Sequence, residues 1–409
     1  MWLEYRLDRR ATGARRVQPT TSSTSTPTDT PCRLEPLEGR RMLAVGGPDG
    51  SFSIVVMPDT QVYAEKYPEI FNSQTQWIRD NAAAQNIAFV THVGDVVENA
   101  SSATEWQRAD AAMDKLHGVV PYSVAIGNHD YDPMNDRSKP GNFVQWFGAS
   151  RYAGQSWYGG ASQNQVNHYQ IFEAGPWRFM HVTVQWEATD ADLAWAQGVI
   201  DAHPGLPILF TTHQYLTGSG TRTTSASAGG NSGEAMWQEL IRKNPRIFMV
   251  HSGHYTAEQR LVSQNDAGQD VHQILVDHQG RTMGGEGYLR VLKFLPQQNK
   301  VEVTSYSPYR NANETDANSQ FTLNIDFATR FPPRPGTSVV RYNEVLVPGS
   351  SKVPPATPAP TPTAARRAPV ARPTPFATRR VELWDGEASE QRVETSERPA
   401  IPARRVAAR

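Results

Sequence analysis

Five apolar runs of strand length, at residues 52–57, 87–93, 122–126, 207–211 and 247–250, most constrain how this chain can fold. Several are continuous rather than alternating, the pattern of strands covered on both faces. Between them lie stretches of helical spacing. Phe71, Gln74, Trp77 and Ile78 begin one, and Trp106, Ala109, Met113 and Leu116 mark another. Residues 193–200 and 235–241 supply two more. In the last, Glu234 falls in the first turn and Arg242 and Lys243 in the last, as the helix dipole favours. A second pattern is strand-rich. Residues 167–172 and 178–185 form a hairpin around Gly175-Pro176, and 261–262, 272–276, 288–294 and 300–305 read as a later meander. Alternating strand–helix units joined to hairpins give a layered α/β domain, one domain with two packed mixed sheets.

The flanks differ from this core. In the leader, residues 1–47, Ser, Thr and Pro fill the stretch from Pro19 to Pro31, which buries too little apolar surface to offset ordering entropy. Arg9, Arg10, Arg15 and Arg16 precede it, without an apolar stretch of signal-peptide length behind them. Residues 33–44, beginning Arg33-Leu34-Glu35-Pro36, resemble an N-terminal LEPR-type motif of predicted extracellular bacterial proteins, a hint of export. The domain is expected over 48–330, with an edge or linker at 331–352. From 353 to 375 eight prolines alternate with Ala, Thr and Arg, so 353–409 reads as an extended, disordered tail. Arg366, Arg367, Arg379 and Arg380 could dock an acidic partner, but Glu382, Asp385, Glu387 and Glu390 mix the signs and favour a plain solvated tail.

Forty Lys and Arg against 41 Asp and Glu remove the electrostatic case for a nucleic-acid platform or a polybasic membrane binder. Mean hydropathy of −0.56, with no long uncharged apolar run, excludes a transmembrane helix. The lone Cys32 excludes an intramolecular disulfide, a thiolate zinc site and an iron–sulfur cluster. Nothing in the sequence marks an oligomeric state.

Chemistry is concentrated where the five apolar runs stop. The first leads into Asp59-Thr60-Gln61, the second into Gly94-Asp95-Val96-Val97-Glu98-Asn99, and the third into Gly127-Asn128-His129-Asp130. The fourth leads into His213 and the fifth into Gly253-His254-Tyr255-Thr256. Carboxyl ends of strands in open α/β sheets converge on a ligand crevice. Hard oxygens mixed with neutral imidazole suit Mn, Fe or Zn better than Ca.

The order DxQ…GDxxE…GNHD…H…GHxT, over residues 59–256, is similar to the calcineurin-like metallophosphoesterase signature DxH…GDxx(D/E)…GNH(D/E)…H…GHxH. The resemblance implies an αββα sandwich of two mixed β-sheets flanked by helices. It also implies two divalent metal ions (Mn, Fe or Zn) about 3.5–4 Å apart and a phosphate-ester substrate attacked by a bridging hydroxide. Carried onto this chain, Asp95 is the bridging carboxylate and Asn128, His213 and His254 complete the second metal site. Asp59 and Gln61 belong to the first. His129 is the general acid that protonates the leaving group, Asp130 orients its imidazole, and Glu98 supports the site.

Gln61 and Thr256 depart from the signature, each standing where it has a histidine of the first site. Three readings stay open. Asp59, Gln61, Asp95 and water hold a labile ion; His251 supplies the lost imidazole; or the first site is empty and the protein has one metal or none. The first is preferred, because a charge such as Asp59 has no use in a core. Two function classes follow: a metal-dependent phosphoesterase, or a binding protein that kept the scaffold and lost its first metal.

Each residue also has a plainer account. Asp95 after Gly94 could be a turn residue and Asp130 a cap. His213 is singled out only by its place in the order of blocks. His92 fits a supporting donor, whereas His168, His181, His272 and His278 pack or face solvent. Tyr63, Tyr131 and Tyr255 either line the substrate mouth or pack its loops, and Trp77, Trp106 and Trp195 read as core. Residues 132–160 and 218–233 are the expected rim loops, the second Gly/Ser/Thr-rich and mobile.

Overall fold

The computed structural model describes residues 46–47 and 49–331. Most of the leader with its export-type motif, Cys32 and the proline-rich tail lie outside the described residues. The strands are β1 (Phe52–Met57), β2 (Ile87–His92), β3 (Tyr122–Val124), β4 (Tyr158–Ala161), β5 (His168–Ala174), β6 (Trp177–Thr183) and β7 (Ile208–Thr211). They continue with β8 (Ile247–Ser252), β9 (Ala257–Gln264), β10 (Asp270–Asp277), β11 (Leu289–Leu295), β12 (Lys300–Ser307), β13 (Ala312–Glu314) and β14 (Gln320–Asn324). The principal helices are α1 (Gln61–Glu65), α2 (Pro68–Asn81), α3 (Ala103–Met113), α4 (Gly141–Phe147) and α5 (Asp190–Ala202).

Two seven-stranded sheets form. One runs β13-β12-β11-β1-β2-β3, with β14 also on β12; the other runs β4-β5-β6-β7-β8-β10-β9. Both are mixed. β1, β2 and β3 are parallel, while β11 pairs antiparallel with β1. In the second sheet β6, β7, β8 and β10 form a parallel run with antiparallel neighbours outside it. The five apolar runs are therefore divided between sheets, three in one and two in the other. The hairpin at Gly175-Pro176 is formed, as β5 and β6.

Side-chain alternation builds three apolar layers. Phe52, Ile54 and Val56 of β1 meet Phe172, Phe179, Leu209 and Phe248 between the sheets. Val55 and Met57 face the other way, against Phe71, Ile78 and Trp106 of α2 and α3. Ile208, Phe210 and Val250 pack on Leu193, Ala196 and Ile200 of α5 and on Trp237 and Leu240. The result is helix, sheet, sheet, helix, as the signature implies. A shift of register places Ala88 opposite no residue of β1, and Phe248 likewise interrupts the β7–β8 pairing. Each such bulge lets two successive residues face the layer between the sheets. α5 starts with a capping box of Thr189 and Asp192, and α3 with Ser102 accepting from the Glu105 N–H. No helix among the described residues is long and apolar enough to cross a membrane.

Candidate metal centre

After β2 the chain turns through Gly94, at φ 106°, and Asp95, at φ 51°. Positive φ suits Gly and is tolerated by Asp, and it brings the Asp95 carboxylate back toward β3. Asp95 Oδ1 accepts from the His129 N–H at 3.0 Å, and Oδ2 lies 3.1 Å from His213 Nε2. A Cβ on Gly127 would sit 2.1 Å from Asp95 Oδ1, so this close approach needs glycine. His213 Nδ1 lies 3.0 Å from the Val93 carbonyl, a contact that places its proton there and turns the Nε2 lone pair to the site. Nε2 is 3.1 Å from Asn128 Oδ1 and 3.1 Å from His254 Nδ1, and those two atoms are 3.0 Å apart. The structure thus brings together Asp95, Asn128, His213 and His254 from the ends of four strands in both sheets.

The chemistry of this set fits a cation. Asp95 Oδ2, Asn128 Oδ1 and His213 Nε2 are three acceptors facing one another, with His254 Nδ1 able to donate at most one proton. Burial, and then the neighbouring His213, pull His254 down to about 4, so its imidazole is neutral at ordinary pH. Burial works against the Asp95 charge, but His213 outweighs it and holds the carboxylate below its usual range. His213, conversely, is pulled upward by Asp95 against burial, so its Nε2 lone pair is one that a proton or a cation would take.

Asp59 stands outside this tight set. It is buried, and its Oδ2 accepts from the His254 N–H at 3.0 Å while Oδ1 has no polar partner. A Cβ on Gly253 would come within 2.0 Å of that oxygen. Burial, followed by the charges of Asp277 and Asp95, holds Asp59 well above the usual carboxylate range. Gln61 is buried at the start of α1, donating to Glu98 Oε2 at 2.9 Å and leaving its own Oε1 unpartnered. Thr256 is exposed and accepts the Gly280 N–H at 3.2 Å. His251 lies in β8 facing Arg290 and His181 electrostatically, held down to about 3 by burial and then Arg290, and is not part of the tight set.

The two acids near His129 exchange the roles expected of them. Asp130 does not meet the imidazole; it accepts from the N–H groups of Gly127 (2.8 Å), Val96 (2.8 Å) and Val97 (3.1 Å), stapling two strand-end loops together. His129 Nδ1 instead lies 3.0 Å from the Glu98 carbonyl and 3.7 Å from its carboxylate. The fully buried Asp130 reaches backbone amides that would otherwise be orphaned, which decides the exchange. His92 contacts Thr60 Oγ1 at 2.9 Å and accepts the Gly94 N–H at 3.1 Å, bracing both loops.

Tyr63 and Tyr131 are buried packing residues: the Tyr63 hydroxyl accepts the Gly287 N–H and the Tyr131 hydroxyl donates to Gln185 Oε1. Tyr255 stands against His254, ring centroids 4.7 Å apart. The second rim loop is pinned rather than loose, since Glu187 accepts from the N–H groups of Ser227 (2.6 Å) and Ala228 (2.7 Å). Arg137 ties the two rims, donating to the Glu187 and Ala228 carbonyls. Beside it a cleft of about 520 Å³ is lined by residues including Pro133, Asn135 and Arg137, and the Asn135 N–H donates to the Asn128 carbonyl.

The family profile of the calcineurin-like phosphoesterases matches residues 52–293. The chain belongs to that family. It is 36% identical over 292 residues to the uncharacterized protein YvnB of Bacillus subtilis (strain 168), covering 68% of this chain and 22% of that protein. It is 33% identical over 70 residues to a probable inactive purple acid phosphatase 27 of Arabidopsis thaliana, covering 17% of this chain and 11% of that one. The chain therefore spans less than a quarter of either relative's length. Among solved structures it is similar to purple acid phosphatase PPD1 from yellow lupin (Lupinus luteus) seeds, with a TM-score of 0.48 and 13% identity over 71% of this chain and 57% of that one.

Sequence reasoning about this phosphoesterase-family chain missed Asp277, which ends β10 fully buried with Oδ2 unpartnered. Burial raises its carboxyl to about 7. The signal was present: the apolar run 272–276 stops at an aspartate, as the other runs stop at ligand types. A second cluster of ligand types, Glu258, His278 and Glu314, was also missed. There Arg290 and Arg281 already pair with the two carboxylates, so it reads as an ion-pair network.

Proposed function

We propose that this chain is a metal-dependent phosphoesterase that hydrolyses a phosphate ester with two divalent ions, Mn, Fe or Zn. The observation that carries the reading is the convergence of acceptor atoms from Asp95, Asn128, His213 and His254 at 3.0–3.1 Å, which a cation would satisfy together. In this reading Asp95 bridges the two sites, Asn128, His213 and His254 complete one, and Asp59 and Gln61 belong to the other. Ions bound there would polarise the phosphoryl oxygens and make water a nucleophile near neutral pH. His129 keeps its Nδ1–H on the Glu98 carbonyl, so the proton for the departing alkoxide comes from Nε2. The Glu98 carboxylate lies 3.7 Å from the same Nδ1 and leaves Nε2 free to face the leaving group.

A second reading, a binding protein with a degraded first site, draws on Gln61 and on Thr256, whose hydroxyl is turned to Gly280. Hydrolysis of chromogenic phosphomonoesters and phosphodiesters separates the two. Turnover with added Mn or Zn that chelator abolishes supports the enzyme. A folded protein inert with every metal supports the binding reading.

A further inference from the structure

This inference rests on the two-ion reading above. We propose that Asp277, on β10, supplies the first metal site with the ligand that Thr256 does not, giving that ion an all-oxygen set of Asp59, Gln61, Asp95 and Asp277.

Four buried acceptor oxygens lack partners in this region, Asp59 Oδ1, Gln61 Oε1, Asp277 Oδ2 and Gln279 Oε1, and two of them are carboxylate oxygens. As carboxylate and amide oxygens they only accept, so they can satisfy one another only through a shared proton or cation. β10 runs parallel to β8 with Leu275 opposite Ser252, so two residues further on Asp277 comes beside His254. The His254 N–H is the group that holds Asp59. The turn after β10 is fastened to the same place: Asp277 Oδ1 accepts the Gln279 N–H at 2.7 Å, and Gln279 Nε2 donates to the His254 carbonyl at 3.5 Å. That turn also removes Thr256, whose hydroxyl accepts the Gly280 N–H. One short segment thus delivers a carboxylate and draws off the residue at the signature's last position.

Charge supports the placement. The Asp277 charge, like that of Asp95, is felt at Asp59 and adds to burial in raising its carboxyl. Arg281, four residues along, is engaged by Glu314 at 2.6 Å and Glu258 at 3.7 Å. Buried like charges are costly unless a proton or a cation lies between them, and the turn bond to the Gln279 N–H accounts for Asp277 Oδ1 but not for Oδ2. The donor types also differ across the site. Oxygen-only ligands favour a hard ion such as Mn²⁺, whereas the imidazoles of His213 and His254 suit Zn²⁺ equally well.

The test is to load the full-length chain with Mn²⁺, count retained ions, measure both affinities by calorimetry, and record the Mn²⁺ paramagnetic resonance spectrum. The expected result is two ions with spin coupling in the unaltered chain. Asp277→Asn should keep one ion, lose the coupling, and bind the other at least about tenfold more weakly. The substitution removes one of several like charges, so the metal-free thermal midpoint should hold or rise, which a purely structural residue would not allow. Asp277→Ser, smaller and uncharged, gives the same readout should the amide variant fold poorly. Two ions retained at unchanged affinity in either variant would overturn the proposal, as would a lowered metal-free midpoint with both sites intact. One ion in both the unaltered and the altered chain overturns it while leaving the His213 half standing. No ion in the unaltered chain sinks the two-ion reading itself.

Discussion

Asp95, Asn128, His213 and His254 meet at 3.0–3.1 Å, whereas Asp59, Gln61 and Asp277 each keep a buried oxygen without a partner. The two halves of the site share one edge of the sandwich and differ in what their atoms can do for one another. In the tight half His213 carries an N–H bound to Val93, a lone pair toward the site, and a favourable Coulomb interaction with Asp95. A single proton can hold that half together. The other half is built of acceptors whose charges repel, and burial with that repulsion holds Asp59 well above the usual carboxylate range until a proton or a cation closes the set. Compactness without metal therefore reports the mixture of charge signs among the ligands, and a loose set need not be a degraded one.

The largest break in this comparison comes from the tight half. Replacing His213 with alanine removes the lone pair around which three other groups are arranged. We expect kcat to fall by about 10³-fold and one ion to be lost per chain. Loss of activity with both ions still bound would mean that His213 acts otherwise than by holding metal.

A smaller effect addresses the other half. At Gly253 a Cβ would press on Asp59 Oδ1 at 2.0 Å and on Val93 Cγ2 at 2.6 Å. Gly253→Ala is expected to weaken the first ion by about 10–100-fold and to leave the second in place, as read by calorimetric titration with Mn²⁺. Equal weakening of both ions would show that the halves are not separable.

Much of this edge was legible before any coordinates. The rule that apolar runs stop at ligand types marked the blocks that hold Asp59, Asp95, Asn128, His213 and His254, the signature gave them their order, and strand–helix units joined to hairpins anticipated two mixed sheets between helices. It was not applied to the run at 272–276, because that stretch reads locally as part of a meander. A chain order does not say which sheet a strand joins. β10 enters between β8 and β9, parallel to β8, and that insertion alone brings Asp277 to the ligand edge. The exchange between Glu98 and Asp130 was hidden for another reason. Both acids flank the same motif, and which one meets His129 depends on where the buried amides of Gly127, Val96 and Val97 point. Ala88 and Phe248 shift the register inside otherwise regular runs, a detail no periodicity discloses.

The finest test compares the two carboxylates with metal removed by chelator, because their shifts have opposite sign. Asp95 is held below its usual range by His213, against burial, so its charge stabilises the fold. That contribution is present above the unfolded-state carboxyl value and is lost as pH falls through the folded one. Asp59 is held above its usual range, by burial and then by Asp277 and Asp95, so its charge opposes the fold. Its contribution is present at low pH and is lost as pH rises through the folded value. In the metal-free protein at neutral pH, Asp95→Asn should therefore lower the unfolding midpoint, leaving His213 without its partner, while Asp59→Asn should raise it. Each shift is on the order of 2–4 °C for every kcal/mol involved, and both should shrink toward zero as the medium is made acid enough to protonate either carboxyl. Midpoints moving in the same direction would show that the two halves of the site do not differ in charge balance.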